Sequence, residues 1–307
     1  MLSVIILSYR RKESLRRTLR ELHALRIPVG TQTPPHAPHL ADAEVIVMDN
    51  ASGDGTVEEV LSEFPRVRFL ELPDNIGVEA FNRGAAVAKG DLLLILDDDA
   101  WPDAQGFQAA LEAMASEPDL AAIALHPRHP ETQRSEWPFA RTRSDFWPFM
   151  GCGNLVRAAV WKLVGGYEPA FFLYRNDTDL ALKILESGGQ VRFDPHWIVH
   201  HDSPAAAVKS ERWLHLATRN WMWLCRRHAT GGTKLSAMFA GAAWALRLAG
   251  WNRRRIACVL RGMRQGALSR RPPLPAPLRP NNAAFRALLK LQLGRARTGP
   301  TPERAAS

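Results

Sequence analysis

Residues 91–100 read Asp91-Leu92-Leu93-Leu94-Ile95-Leu96-Asp97-Asp98-Asp99-Ala100. An apolar run of this length bounded by polar residues marks a strand buried on both faces, as parallel sheets require. Three carboxylates at its end repel one another and raise each other's pKa unless a cation sits among them. Hard oxygen ligands of this kind suit Mg²⁺ or Mn²⁺, ions that also bridge phosphates. Asp97 and Asp99, two residues apart, project to one side if the extended geometry continues. An acidic turn capping the next helix is the competing role. The position directly beyond a buried strand favours the cation.

Outward from this strand the chain alternates. Leu2–Ser8, Glu44–Met48, Val67–Glu71 and Leu120–Leu125 read as further strands. Leu15, Leu19, Leu22 and Leu25 recur at helical spacing, and Thr56–Phe64, Gly77–Ala88 and Gln105–Ser116 complete the helices. A Pro- and His-rich loop, Thr31–Pro38, interrupts them. This rhythm predicts an α/β layer with a mainly parallel sheet flanked by helices, whose ligands bind beyond the carboxyl ends of the strands. Past residue 126 the alternation stops. Two aromatic, Pro-broken segments, Trp137-Pro138-Phe139 and Phe146-Trp147-Pro148-Phe149, read either as loops over a cleft or as simple loop packing.

The chain has 307 residues, 46% hydrophobic and 23% charged, which excludes a disordered or collagen-like protein and allows a substantial core. Cys152, Cys225 and Cys258 form no metal-type pair and no disulfide framework. Met1–Leu7 lacks the preceding basic residues of a secretion signal, so a cytoplasmic setting is expected. No Gly-x-Gly-x-x-Gly follows a strand and no phosphate loop is present, which disfavours a dinucleotide oxidoreductase or a P-loop ATPase.

Other polar clusters also fall at strand ends. Asp49-Asn50-Ala51-Ser52-Gly53-Asp54-Gly55-Thr56 permits a tight turn, with Asp49 placed to accept hydrogen bonds from a base or ribose. Tyr174-Arg175-Asn176-Asp177-Thr178-Asp179-Leu180 opens a helix whose dipole favours acids in its first turn; one acid can cap while the other faces the cleft. Val199-His200-His201-Asp202 follows a short strand, and a His there is a plausible ligand beside an acidic metal site.

In this order the clusters resemble the family 2 glycosyltransferases with the GT-A fold, rhamnosyltransferase-like bacterial members among them. The stretches that match are Ser3–Tyr9, Val47–Thr56, Asn75-Ile76-Gly77 with Asn82-Arg83-Gly84, Leu96–Asp99, Gly151–Arg157 and Val164–Leu180, within residues 1–205. The resemblance implies an inverting transfer of a sugar from a nucleotide-diphosphate donor, with a divalent metal, Mn²⁺ or Mg²⁺. It implies Asp177 as catalytic base, and Ser8, Tyr9, Asp49, Asn75, Gly77, Asp97 and Asp98 on the donor. It implies Asp97 and Asp99 as the Asp-x-Asp pair on the metal, completed by a His, for which spacing leaves both His200 and His201. Asp179 is expected mainly to support the helix start. The family usually has Glu-Asp where this chain has Asn176-Asp177, which alters the acceptor contact.

The charge is split along the chain. Residues 1–204 carry 20 Lys+Arg and 29 Asp+Glu, a net of −9, whereas residues 205–307 carry 20 and 2, a net of +18. Such asymmetry points to an anionic surface as partner. Helical spacing puts Trp213, Leu216, Ala217, Trp221 and Leu224 on one stripe, with Arg212, Arg219 and Arg226 opposite; Phe239, Trp244, Ile256 and Leu260 continue beside Arg253-Arg254-Arg255. These helices either pack on the catalytic domain or lie on anionic lipid, as a peripheral protein on the inner face of the cell membrane. A basic nucleic-acid-binding protein with a non-catalytic α/β domain is the alternative; it leaves the acidic clusters unexplained, and no nucleic-acid partner is expected. The expected organisation is a GT-A catalytic domain over 1–205 (nucleotide-binding half 1–125, acceptor half 126–205), a basic helical extension over 206–271, and a Pro-rich linker with a terminal basic helix over 272–307. A saccharide or lipid-linked saccharide is the expected acceptor.

Overall fold

A computed structural model describes residues 1–25, 43–137, 140–144, 147, 152–203 and 209–297. The Thr31–Pro38 loop and most of the two aromatic segments lie outside the described residues. In chain order the elements are β1 (Leu2–Ser8), α1 (Lys12–Ala24), β2 (Glu44–Asp49), α2 (Thr56–Glu63), β3 (Arg68–Glu71), α3 (Glu79–Val87), β4 (Leu92–Asp97), β5 (Ala100–Pro102), α4 (Ala104–Ser116) and β6 (Leu120–Arg128). There follow β7 (Asn154–Arg157), α5 (Ala158–Val164), α6 (Asn176–Glu186), β8 (Gln190–His201), α7 (Glu211–His228), α8 (Gly231–Ala249), α9 (Arg253–Leu268) and α10 (Asn282–Arg297).

The strands form one sheet in the order β3-β2-β1-β4-β7-β6-β8-β5. β1 pairs in parallel with β2 and β4, β2 with β3, and β6 with β8, while β7 and β5 run antiparallel to their neighbours. The mainly parallel sheet is as expected. Its second half, with β7, β5 and the full length of β8, was not legible, because β5 and β7 are too short to show a period. His200 and His201 are the last residues of β8 itself rather than residues beyond it.

Each face of the sheet buries its own apolar layer. Leu15, Leu19 and Leu22 of α1 pack with Phe107, Leu111 and Met114 of α4 on one side. On the other, α3, α5 and α6 pack with Trp221, Met222 and Leu224 of α7 and Phe285 of α10. Trp137 and Trp147 belong to that second layer: Trp147 stacks on Phe193 at 4.3 Å between ring centroids, so both are core side chains.

α7 departs from the striped helix that its spacing suggested. Residues around its whole circumference are buried, among them Arg219, Asn220, Arg227 and His228. Two of these, Arg227 and His228, join Lys183 of α6 around buried carboxylates. Arg227 pairs through Nε with Asp179 at 2.8 Å and through Nη1 with Glu168 at 3.0 Å. His228 joins Asp179 and Glu186, each at 2.9 Å, and Lys183 sits 3.3 Å from Asp179. Asp179, Arg227 and His228 have no exposed side-chain surface. Asp179 thus supports α6 through a buried ion cluster with α7 rather than through the helix dipole.

Burial opposes the charge on Asp179, but Lys183, His228 and Arg227 outweigh it and hold its pKa well below the usual carboxylate range. A depressed carboxylate stabilises the fold above its unfolded pKa of about 3.9 and loses that contribution as pH falls through the lower folded value. Removing one member of such a cluster strands a buried charge. Arg227→Met is therefore expected to lower unfolding free energy by about 3–5 kcal/mol in urea titrations at neutral pH.

Candidate active site

The ends of β1, β2, β4 and β8 meet at one edge of the sheet. There the three carboxylates diverge. Asp98 and Asp99 are nearly buried, and Arg11, the last residue of the β1–α1 connection, pairs with both: Nη1 to Asp98 at 3.0 Å and Nη2 to Asp99 at 2.7 Å. Asp97 alone keeps an open carboxylate at the strand end. His201 arrives from β8, with Nε2 3.3 Å from Asp99 and Nδ1 2.5 Å from Glu136. Ligand atoms of Asp97, Cys152 and His201 lie within 4.8 Å of one another.

Adjacent strand residues face opposite sides, so only one histidine enters the cluster. His200 instead lies against Trp101, 3.9 Å from Asp103, so of the two histidines that spacing left open only His201 reaches this cluster. The charges respond to this crowding. Asp97, although its side chain is exposed, is packed closely enough on the protein side that desolvation, then the charge of Asp99, raises it to about 6. Desolvation raises Asp98 to about 7 against the pull of Arg11. Asp99 is also desolvated, yet His201 and Arg11 hold it below the usual range. Burial works against a charge on His201, but Cys152, Asp99 and Glu136 around it drive its pKa up. Asp99 Oδ1 is buried, with His201 Nε2 beside it at 3.3 Å. A carboxylate, a thiol and an imidazole whose ligand atoms lie this close together are a donor set that fits a divalent cation.

Ser8 is buried beneath Asp98, and Tyr9 is partly exposed at the rim under Arg10. Asp49 is buried and closes a turn, accepting from Ser52 N at 2.8 Å and Ser52 Oγ at 2.5 Å. Beside it lies a polar cavity of about 230 Å³ lined by Ser52, Asp54, Thr56 and Glu71. Asn75 Oδ1 accepts from Gly77 N at 3.0 Å, and Asn50 bridges the next two residues. Gly77 has φ +63°, and a Cβ there would come within 2.2 Å of Phe172 O, so only glycine fits. Val78 N donates to that same carbonyl at 2.9 Å. The donor-side loop is thereby docked on the segment that leads into α6.

That segment is strained. Phe172, Tyr174 and Arg175 have φ of 61°, 69° and 64°, a region unfavourable for residues with a Cβ. Asn220 holds it, its Nδ2 donating to the carbonyls of Phe171, Leu173 and Tyr174 at 3.0, 2.8 and 2.8 Å. Arg219 Nη2 adds a bond to Phe171 O at 2.9 Å. Asp177 follows in the first turn of α6, close enough for its charge to raise both Asp97 and Tyr167. The cluster therefore contains Asp97, Asp99 and His201, with Asp177 within range of their charge and Asp49 at the end of the neighbouring β2 strand. Arg11, Glu136, Cys152, Arg219 and Asn220 were missed. Only Arg11 had a readable signal, as a cation just past β1 able to balance the carboxylates.

The pattern of the family described as "Glycosyl transferase family 2" matches residues 3–179. "Succinoglycan biosynthesis protein ExoA" of Rhizobium meliloti is 27% identical over 169 residues, 49% of this chain and 51% of that one. The chain thus spans about half the length of that relative. "N-acetylglucosaminyl-diphospho-decaprenol L-rhamnosyltransferase" of Mycobacterium tuberculosis is 26% identical over 235 residues, 60% of this chain and 75% of that one. Among solved structures, TarS 1–349 of S. aureus aligns with a TM-score of 0.63 at 13% identity, over 87% of this chain and 81% of the other. The mannosyltransferase PcManGT of Pyrobaculum calidifontis, in complex with GDP-Man and Mn²⁺, aligns with a TM-score of 0.56 at 18% identity, over 97% and 81%. These likenesses establish the GT-A fold.

Asn220→Ala removes the donor shared by three carbonyls of a strained segment. Amide exchange over residues 171–177 is expected to accelerate by at least about tenfold, with exchange in β1 and β4 unchanged, as read by mass spectrometry.

Proposed function

As the chain belongs to glycosyl transferase family 2, we propose that it moves a sugar from a nucleoside-diphosphate donor to an acceptor hydroxyl with inversion at the sugar C1. The observation that carries this is the convergence of Asp97, Asp99 and His201 at the strand ends, with the charge of Asp177 near enough to raise Asp97. Mn²⁺ or Mg²⁺ fits Asp97 and His201, with Asp99 next to them, and when bound supplies charge neutralisation for the departing diphosphate. The GDP-Man and Mn²⁺ of PcManGT support that donor class.

Each residue then has a task. Asp49 and the adjoining polar cavity take the base and ribose, while Asn75 and Gly77 form the wall beside them. Ser8 and Tyr9 line the floor and rim. Asp98 acts through Arg11, which it holds against Asp99. Asp177 accepts the proton of the acceptor hydroxyl as that oxygen attacks C1 from the face opposite the leaving group, and a single displacement inverts the anomeric centre. Asn176, neutral where the family usually has Glu, leaves Asp177 with one fewer negative neighbour and changes the acceptor contact.

The acceptor we propose is a lipid-linked saccharide in polysaccharide or glycolipid synthesis. The diphospho-decaprenol acceptor named for the mycobacterial relative and the succinoglycan role of ExoA support that class. Among the described residues no helix is long and apolar enough to cross a membrane. The surface of α8 and α9 supports peripheral contact with anionic lipid instead. Trp251, between them, is 99% exposed, Phe239 is 75% exposed, and Arg253, Arg254 and Arg255 follow directly. Apolar anchors beside Arg suit an interfacial site.

Asp177→Asn keeps shape and removes basicity. Donor binding is expected to persist while turnover falls by about 10²–10⁴-fold, as measured by product formation under saturating donor. Phe239→Ser with Trp251→Ser is expected to reduce co-sedimentation with phosphatidylglycerol vesicles, and raised salt to weaken binding of the intact protein; unchanged binding returns this surface to simple solvation.

A further inference from the structure

Cys152 has no role in the mechanism above, yet the fold delivers it to the cation site. β4 and β7 pair antiparallel with Ile95 opposite Asn154, and Gly153 N donates to Ile95 O at 3.1 Å. Continuing that register sets Cys152 opposite Asp97. Gly153, at φ +78°, makes the approach possible, since a Cβ there would lie 2.9 Å from the side chain of Val199, two residues before His201 in β8. Ends of three strands thus bring a carboxylate, a thiol and an imidazole together, with their ligand atoms within 4.8 Å of one another. Asp99, a side chain 6% exposed, orients the imidazole, its Oδ1 lying 3.3 Å from His201 Nε2.

We propose that Cys152 Sγ joins Asp97 and His201 as a ligand of the divalent cation, making a mixed oxygen, nitrogen and sulfur site. The inference rests on the reading that this edge of the sheet binds such a cation. Its consequence is selectivity. Mg²⁺ prefers all-oxygen surroundings, whereas Mn²⁺, Co²⁺ and Zn²⁺ accept imidazole and, increasingly along that series, thiolate. The Cys152 S–H bond breaks as the sulfur–metal bond forms, and the proton leaves to solvent. Cys225, buried away from the cluster among α7 side chains, and Cys258, half-exposed on α9, serve as internal controls.

The test is optical titration of the full chain with Co²⁺. Wild type is expected to show visible ligand-field bands together with near-ultraviolet sulfur-to-cobalt charge transfer. Cys152→Ser is expected to keep the visible bands and lose the charge transfer, and Cys258→Ser to keep both. Visible bands without charge transfer in wild type overturn the sulfur ligand while leaving the cation reading intact; no bands at all overturn both. Charge transfer that survives in Cys152→Ser also overturns the proposal. Should that variant fail to fold, alkylation of wild type decides. Mn²⁺ is expected to slow iodoacetamide labelling of Cys152 at least about fivefold and leave Cys258 unchanged, whereas equal labelling of Cys152 with and without Mn²⁺ overturns the assignment.

Discussion

Three carboxylates on consecutive residues at the end of a buried strand cannot all remain charged without compensation, and the sheet edge is organised around that repulsion. The chain separates them. Arg11 takes Asp98 and Asp99 inward, His201 approaches Asp99 from β8, and Glu136 balances His201 in turn. Asp97 is left exposed at the strand end, where the proposed cation and diphosphate would complete the balance. A site that is electrostatically incomplete by itself is a site prepared for a charged ligand.

The basic C-terminal part is tied to this chemistry from behind. α7 lies inside the second apolar layer, and its Asn220 and Arg219 fasten the strained segment 171–175 ahead of Asp177. Two turns further on, Arg227 and His228 close a buried ion cluster on Asp179 in α6. Backbone strain before a proposed base persists only where the surroundings over-determine it. Here the surroundings include a helix more than forty residues away in sequence. The charge surplus of this region is therefore divided between a core function on α7 and the exposed apolar and Arg-bearing surface of α8 and α9.

Much of this was legible in the sequence because its signals were local. A run of Leu and Ile ending in Asp97-Asp98-Asp99 names both a buried strand and its ligand-facing end, and the alternation before residue 126 follows from simple period. The second half of the sheet was not legible, since β5 and β7 are only three and four residues long and their pairing is set by long-range register. Arg219, Arg226 and Trp221 on α7 looked like an amphipathic surface because spacing cannot tell a solvated cation from one buried on carbonyls and carboxylates. The choice between His200 and His201 likewise required the pleat of β8. Asp179 resembled an ordinary first-turn acid, and its buried partners come from residues far along the chain.

The central claim is that the sheet edge binds a nucleoside diphosphate through a divalent cation held by Asp97 and His201. Calorimetric titration of a panel of nucleoside diphosphates into the full chain with Mn²⁺, repeated in excess chelator and with Asp97→Asn, tests it most directly. Binding of at least one nucleotide that requires Mn²⁺ and is lost in the folded variant is expected. Equal affinity in chelator, or undiminished Mn²⁺-dependent binding by Asp97→Asn, would contradict it.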